Sequence, residues 1–141
     1  MRIEQEKVEM FMRMIGDPIV DKPELGDYAE GMRRYDLMKE ELEEYRLALE
    51  NGDLVGVADA LADLEYTVLG TSSHHGMELL PLFDEVHRSN MTKTPVDHSN
   101  PEYARLKRFK LCEKGAKFSP PRIADILLVQ SLDPKGYGHG V

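Results

Sequence analysis

The segment from Leu37 to Asp63 constrains the fold most, because it reads as two acid-bearing helices joined by a short turn. Asn51-Gly52 is typical of a helix end, where glycine readily adopts the left-handed conformation. Asp53 is typical of the N-cap of a following helix. Two helices with so short a connection are expected to pack side by side. Carboxylates that point inward from both helices should then lie close together.

Helical periodicity indicates which carboxylates of the first helix point inward. Glu43 falls on a wholly polar face and is expected to be solvated. Glu41 and Glu44 fall on a stripe at the edge of the buried side. The neighbouring stripe is apolar and is formed by Met38, Leu42, Tyr45 and Leu49.

The second helix combines a predicted core stripe with a stripe of small residues. Asp63 is the one charge in the small-residue stripe, and Asp59 lies one turn before it. The predicted core stripe is formed by Val57, Leu61, Leu64 and Val68, and the small-residue stripe by Gly56, Ala60, Asp63, Thr67 and Gly70.

These acids suggest a cation site. Four neighbouring carboxylates cannot all remain ionised unless a cation compensates their charge. Oxygen ligands without His or Cys nearby suit Mg²⁺ or Mn²⁺. The alternative is a solvated acidic face, which is the usual reading of a Glu-rich helical run.

The motif Glu40-Glu41-x-x-Glu44, followed by Asp59-Ala60-Leu61-Ala62-Asp63, resembles the MazG-like all-α nucleotide pyrophosphohydrolases. The resemblance is closest to their short, single-domain, phosphoribosyl-ATP-pyrophosphohydrolase-like members. Residues 85–93, Glu-Val-His-Arg-Ser-Asn-Met-Thr-Lys, are the most specific segment. Further matching segments are residues 11–13, 21–23, 66–71 and 118–121.

The resemblance implies hydrolysis of a nucleoside triphosphate to a monophosphate and pyrophosphate with Mg²⁺. Glu41, Glu44 and Asp63 would hold the metal. The family signature is Glu-x-x-Glu followed by Glu-x-x-Asp, and Ala60 stands where its second half has glutamate. Asp59 is the expected fourth ligand, and the small side chain of Ala60 is expected to leave space there. Glu40, one turn from Glu44, is the predicted catalytic residue that orients or deprotonates water.

Asn90 and Lys93 are the predicted substrate-binding residues of the fourth helix. Their spacing of three residues puts them one helical turn apart. Because Asn90 shares a face with Leu79, Phe83 and Val86, the pattern alone favours a buried, hydrogen-bonded asparagine. The resemblance instead implies that Asn90 and Lys93 contact the nucleotide.

Arg34, a turn or two before Glu40 on the acidic helix, has two open roles. It can contact substrate phosphate, or it can form an ion pair with Asp36 or Glu30. The sequence slightly favours the ion pair, and Arg34 stays a candidate substrate-binding residue.

The predicted fold is all-α, with one domain over residues 1–141 and a four-helix core over about 1–94. The first helix is apolar almost all round in its second half, which predicts burial against more than one neighbour, including another subunit. The predicted elements are helices over 3–15, from about 28 to 50, from about 54 to 73, 77–93, 101–112 and 120–130 (capped by Ser119), a loop over 16–27 and a mobile tail over 131–141.

Composition excludes several function classes. The net charge of −8 argues against a nucleic-acid polymer as partner, since such binding depends on phosphate neutralisation. No apolar run reaches membrane-spanning length, and the N-terminus lacks a signal-peptide core. Cys112 is the single cysteine, which fits the cytoplasm. The expected partners are a small nucleotide substrate and further copies of the chain, as a homodimer or homotetramer.

Three alternatives to a nucleoside triphosphate pyrophosphohydrolase remain. A di-iron carboxylate bundle needs two Glu-x-x-His pairs, and this chain offers one Asp84-x-x-His87. Phosphoribosyl-ATP pyrophosphohydrolase activity is the second alternative. A non-catalytic helical interaction or regulatory protein, whose acids only keep it soluble, is the third.

Overall fold

The computed structural model of this protein describes residues 3–101 and 110–134. In these ranges the secondary structure is mostly helical, so the predicted all-α fold is confirmed. The chain divides into two compact units, Met1–Leu80 with Leu127–Val141 and Pro81–Ile126. The elements are α1 (Ile3–Ile15), α2 (Tyr28–Glu50), α3 (Leu54–His74), α4 (Leu79–Asn90), α5 (Ile123–Leu132), β1 (Thr94–Pro95) and β2 (Cys112–Glu113).

The turn between α2 and α3 forms as the sequence predicts. Gly52 ends α2 with a positive φ of 62°, the backbone conformation that glycine adopts without strain. The Asp53 side chain caps α3 by accepting a hydrogen bond from Gly56 N at 2.9 Å. Asp27 caps α2 in the same way, accepting from Glu30 N at 3.1 Å. Both helices of the hairpin therefore begin at a residue that satisfies a free backbone N–H.

Contacts at both ends of the hairpin show that α2 and α3 run antiparallel. Near the start of α2, the Arg34 guanidinium lies against Gly70 near the end of α3. At the other end of the hairpin, a Cβ built on Gly56 would lie 3.1 Å from the Cβ of Ala48. The small-residue stripe of α3 therefore faces α2 and allows the two helices to approach closely.

The core of the larger unit is formed where α1 packs on α3. Val8 and Met12 of α1 and Leu69 of α3 are buried together. Ile19 and Leu79, both half-buried, pack against this cluster. The hydrophobic face of α1 that meets the rest of the unit is therefore narrow.

Fully buried polar side chains extend this core. Ser73 Oγ donates to Glu9 Oε1 at 2.7 Å, and Gln5 Nε2 donates to Ser73 Oγ at 2.9 Å. Gln5 also links α1 to the turn before α4, donating to Met77 O at 2.8 Å and accepting from Leu79 N at 3.1 Å. Because the buried groups of Gln5 and Ser73 are hydrogen-bonded, the network can replace apolar packing here.

Burial differs from the sequence prediction on three helices. On α2, Leu42 and Leu49 of the predicted apolar stripe are each more than half exposed. Leu61, expected in the core stripe of α3, is 50% exposed, while Ala60 on the small-residue stripe is buried. On α1, Met10 and Met14 are exposed, whereas Gln5 and Glu9 are fully buried. Helical periodicity predicted the helices correctly, but not which residues point inward. On α1, polar residues point inward because they are hydrogen-bonded there. On α3, small residues point inward because they allow α2 to approach closely.

Residues 16–27 form the predicted loop, and hydrogen bonds attach it to the end of α3. Val20 N donates to Ser73 O at 3.3 Å, and Glu24 N donates to His75 O at 3.0 Å. Gly76, with a φ of 70°, lies directly against the carbonyl of Lys22. A side chain at position 76 would collide with this backbone, so glycine is required both for the turn and for the loop contact.

The fourth helix is shorter than the predicted 77–93. Lys93 follows α4 in a turn rather than lying on the helix, and its backbone N–H donates to Asn90 O at 3.1 Å. Of the predicted helix over 101–112, residues 102–109 lie outside the described part of the chain. The prediction is wrong for residues 110–112, because Cys112 is paired with Pro95 in the two-stranded ladder, whereas residue 101 is helical as predicted.

The last helix begins at Ile123, three residues later than predicted, and Ser119 does not cap it. Ser119 instead binds the end of α4, since its oxygen Oγ accepts from Arg88 at 3.1 Å. Its backbone carbonyl accepts from Ser89 Oγ at 2.8 Å. Of the predicted tail, residues 131 and 132 still belong to α5, and residues 135–141 lie outside the described part.

Candidate active site

The antiparallel hairpin places acids of its two helices level with one another. Seven residues along α2 from Arg34 is Glu41, and seven residues back along α3 from Gly70 is Asp63. Since Arg34 contacts Gly70 and both helices rise equally per residue, Glu41 and Asp63 are level. The contact of Ala48 with Gly56 gives the same register and puts Glu44 level with Ala60.

Glu41 is the centre of this acidic group. Its Oε2 is buried and has no hydrogen-bond partner. Burial raises the pKa of the Glu41 carboxyl, and the negative charges of Glu44, Asp63, Glu40 and Asp59 raise it further, in that order of effect. The other four acids predicted from the sequence are therefore all near enough to act electrostatically on the Glu41 carboxylate.

The other four acids of this group are exposed to solvent. Glu40 and Glu44 line one shallow cavity on α2 together with Glu43. Glu43 is also bound to Arg46, which lowers the pKa of its carboxyl. As the sequence predicts, Glu43 is solvated and Glu41 points toward α3.

The donors around Glu41 fit a hard divalent cation. An ionised carboxylate oxygen that is buried and unpaired is unfavourable, and a bound cation would satisfy it. The surrounding donors are all carboxylate oxygens, which Mg²⁺ and Mn²⁺ prefer. Within residues 3–101 and 110–134, no three His, Cys, Asp or Glu side chains already converge as a metal site. Ion binding would therefore involve rotation of the exposed acids toward Glu41.

Ala60 does not leave the expected space. It is only 2% exposed and faces α2 at the level of Glu44. The short side chain is needed for the close approach of the two helices, so no gap remains at that position. Asp59, one residue earlier, is exposed and free to turn toward the acidic group.

Arg34 is buried and ion-paired, as the pattern slightly favours, but with a partner the sequence did not indicate. Its Nη1 donates to Asp17 Oδ2 at 2.8 Å, and its Nε donates to Thr71 Oγ1 at 3.4 Å. Arg33 binds the other Asp17 oxygen at 2.5 Å. The signal was weak because Asp17 lies in the proline-bearing loop, sixteen or more residues away from both arginines.

Asn90 and Lys93 belong to the unit Pro81–Ile126. Asn90 is exposed, so the interpretation of a buried core asparagine is wrong. Lys93 is half-buried and lines a cavity with Lys110, Cys112, Glu113 and Lys114. The sequence did not predict a site at these last four residues, because the pattern of 101–112 predicted a helix instead of a strand pair.

Fold and site together define an all-α protein with a cluster of carboxylates on a helical hairpin. The family model for phosphoribosyl-ATP pyrophosphohydrolase matches residues 8–90, which include the whole hairpin. The chain therefore belongs to the phosphoribosyl-ATP pyrophosphohydrolase family, and the resemblance seen in the sequence is confirmed. Membership makes it a pyrophosphohydrolase, a hydrolase that acts on acid anhydrides, with nucleotide-like substrates. A search of curated proteins found no match.

Within residues 3–101 and 110–134, no helix is both long enough and apolar enough to cross a bilayer.

Proposed function

We propose that the protein hydrolyses a nucleoside triphosphate, either an NTP or a dNTP, to the monophosphate and pyrophosphate with Mg²⁺ or Mn²⁺. The observation that supports this most is the buried, unpaired Oε2 of Glu41 among four further acids. Such a donor group suits a divalent cation, and the substrates of a pyrophosphohydrolase carry phosphates that the same cation neutralises.

Each of the five predicted acids has a role in this proposal. Glu41, Glu44 and Asp63 hold the metal, and Asp59 turns in as the fourth ligand. Glu40, exposed and one turn before Glu44, orients or deprotonates the attacking water. The bound ion supplies neutralisation of phosphate charge. Asn90 and Lys93 bind substrate.

Arg34 has a different kind of role. In the described arrangement its guanidinium is bound to Asp17 and Thr71. Direct contact with phosphate would require Arg34 to leave Asp17, so substrate binding by Arg34 depends on movement of the loop 16–27. A charge-retaining Arg34→Lys variant tests this, because loss of substrate affinity without loss of thermal stability supports a direct contact.

Phosphoribosyl-ATP is the second candidate substrate, and the description of the matching family model favours it. It carries the same type of phosphate anhydride next to a nucleoside, so the same donors would serve.

We further propose a homodimer or homotetramer that acts in the cytoplasm as one domain. Large exposed apolar side chains on α1 support the association.

A substrate panel tests the reaction. Purified protein is incubated with each NTP, each dNTP and phosphoribosyl-ATP, with Mg²⁺, Mn²⁺ or EDTA, and pyrophosphate and orthophosphate are measured separately. We expect metal-dependent release of pyrophosphate from at least one compound. Orthophosphate release across the panel would show that the bond assignment is wrong, and activity that persists in EDTA would exclude the metal role.

Variants separate the catalytic proposal from a non-catalytic acidic protein. Asp63→Asn should lose activity and metal affinity. If Asp59 is the fourth ligand, the losses in Asp59→Asn should be nearly as large as those in Asp63→Asn. Glu43→Gln is the matched control, because Glu43 is a solvated acid of the same helix bound to Arg46. If Mg²⁺ fails to raise the melting temperature of the wild-type protein, the acids form no metal site.

A further inference from the structure

A cavity of about 450 Å³ lies within the unit Pro81–Ile126. The described residues that line it are three lysines, one cysteine and one glutamate: Lys93, Lys110, Cys112, Glu113 and Lys114. Apart from Lys93, none of these residues belongs to the proposed carboxylate site or its substrate contacts.

The strand pair builds this cavity. Thr94 pairs with Glu113 and Pro95 pairs with Cys112, and Val96 N donates to Leu111 O at 3.1 Å. Lys93 immediately precedes β1, so the pairing brings it beside the residues that flank β2. Residues about twenty positions apart in sequence thereby line one space.

Positive charge dominates the lining. Lys110 and Glu113 form an ion pair at 3.9 Å, and both side chains are about half exposed. An exposed pair at this distance is weak, so Glu113 does not fix Lys110 in place. Lys114 lies 5.0 Å from the centre of the Phe118 ring, which orients its ammonium group. Among the lining residues that the structure describes, three lysines outnumber one glutamate, which in a chain of net charge −8 favours an anion with several charged oxygens.

We propose that this cavity binds a di- or triphosphate chain, with Lys110 and Lys114 as binding residues beside Lys93. The chain belongs either to a nucleotide or to free pyrophosphate. The nucleotide case rests on the proposed function, since it takes the ligand to be the substrate of a pyrophosphohydrolase.

Cys112 gives a direct measurement of occupancy. It is the single cysteine, it is exposed, and it lines the cavity. Its rate of alkylation by uncharged iodoacetamide is measured in EDTA with pyrophosphate, with a nucleoside triphosphate, or with sulfate at matched ionic strength. We expect both phosphate compounds to slow alkylation until the effect saturates, and sulfate to leave the rate close to that of the buffer. Absence of slowing, or equal slowing by sulfate, would overturn the proposal.

Variants test the two lysines. Lys110→Gln and Lys114→Gln should each weaken the protection, and Lys110→Arg should retain most of it. Lys117→Gln is the matched control, because Lys117 is a nearby lysine that does not line the cavity. Melting temperatures verify folding, and intact protection in Lys110→Gln together with Lys114→Gln contradicts the assignment.

The experiment distinguishes free pyrophosphate from a nucleotide as the ligand, and it tests the cavity assignment separately from the proposed function. Protection by pyrophosphate alone identifies a product site, whereas stronger protection by the nucleotide identifies a substrate site. Because the experiment runs in EDTA, it is independent of turnover. Protection without hydrolysis of any panel compound would remove only the proposed function, and hydrolysis without protection would remove only the cavity assignment.

Discussion

Glu41 shows how the surroundings of a single residue can lower the stability of the fold. Its pKa is raised by burial and then by the neighbouring acids. A carboxyl with a raised pKa in the folded state contributes stability below its unfolded pKa and loses it as the pH rises through the folded pKa. At neutral pH the ionised Glu41 therefore lowers the free energy of unfolding unless a cation compensates it.

Replacing Glu41 by glutamine should consequently stabilise the protein in EDTA. The amide is uncharged and can donate to neighbouring carboxylates, so the melting temperature of Glu41→Gln at pH 7 is expected to exceed that of the wild type. The further rise on adding Mg²⁺ should disappear, as should activity. Differential scanning fluorimetry with and without Mg²⁺ measures both effects, with Glu43→Gln retaining the metal response. A lower melting temperature in EDTA, or an undiminished response to Mg²⁺, would contradict this account of Glu41.

At the scale of elements, the packing of α2 on α3 depends on small side chains. Ala60 is buried at this interface, level with Glu44. A glutamate there would need space that the helices do not leave, and its charge would join an already acidic group. We therefore expect Ala60→Glu to lower stability in EDTA by about 2–4 kcal/mol, typical of an uncompensated buried polar or charged group.

Ala60→Gln separates volume from charge, because glutamine has nearly the same size. If both variants unfold at the same denaturant concentration, size alone causes the loss. If Mg²⁺ restores Ala60→Glu selectively, the added carboxylate has become a ligand. An Ala60→Glu protein as stable in EDTA as the wild type would show that the hairpin relaxes more readily than its packing implies.

The end of α3 supplies a second effect at this scale. His74 is buried, and its Nδ1 has no hydrogen-bond partner. Burial lowers the pKa of His74, and the charges of His75, Arg34 and Arg33 lower it further, while Asp17 opposes them. These groups come from α3, from α2 and from the loop after α1, so protonation of His74 would act on all three.

The sign of the pH effect follows from the lowered pKa. The unfolded chain takes up a proton at His74 near pH 6.5, whereas the folded protein does so only at lower pH. Stability should therefore fall as the pH decreases below about 6.5, with the loss complete once the folded histidine is also protonated. Urea unfolding between pH 8 and pH 5 measures the slope, which His74→Asn should reduce. Equal slopes in the two proteins would assign the acid sensitivity to other groups.

At the scale of the whole molecule, local signals in the sequence were sufficient for the helices. Caps such as Asp53 and turns such as Asn51-Gly52 act over a few residues, so α1, α2 and α3 were predicted almost to the residue. Pairings across the chain were not accessible in the same way. The Arg34 partner Asp17 and the cavity beside Lys93 depend on loop and strand contacts, which a helical periodicity does not encode. The sequence correctly predicted that Glu41 points toward α3. That Glu41 lies level with Asp63 followed only from the observed register of the two helices.

The apolar surface of α1 belongs to this scale, because its large apolar side chains are exposed in the described part of the chain. Ile3, Met10 and Met14 lie on one face of α1, opposite the buried residues, and Met14 is 74% exposed. Contiguous exposed apolar residues are typical of an interface, and association of copies through α1 would bury them. We therefore expect the wild-type protein to form a homodimer or homotetramer.

Met14→Glu should then shift the protein toward the single chain, because burial of an unpaired carboxylate in an apolar interface is unfavourable. Met14→Leu, which keeps an apolar side chain of similar volume, should leave the assembly intact. Light scattering after size exclusion gives the molecular mass of each variant. The melting temperature should also rise with protein concentration in the wild type and in Met14→Leu, since association stabilises only the folded state. A wild-type protein with the mass of one chain would show that α1 is exposed in solution. An assembled Met14→Glu protein would place the interface on another face of the molecule.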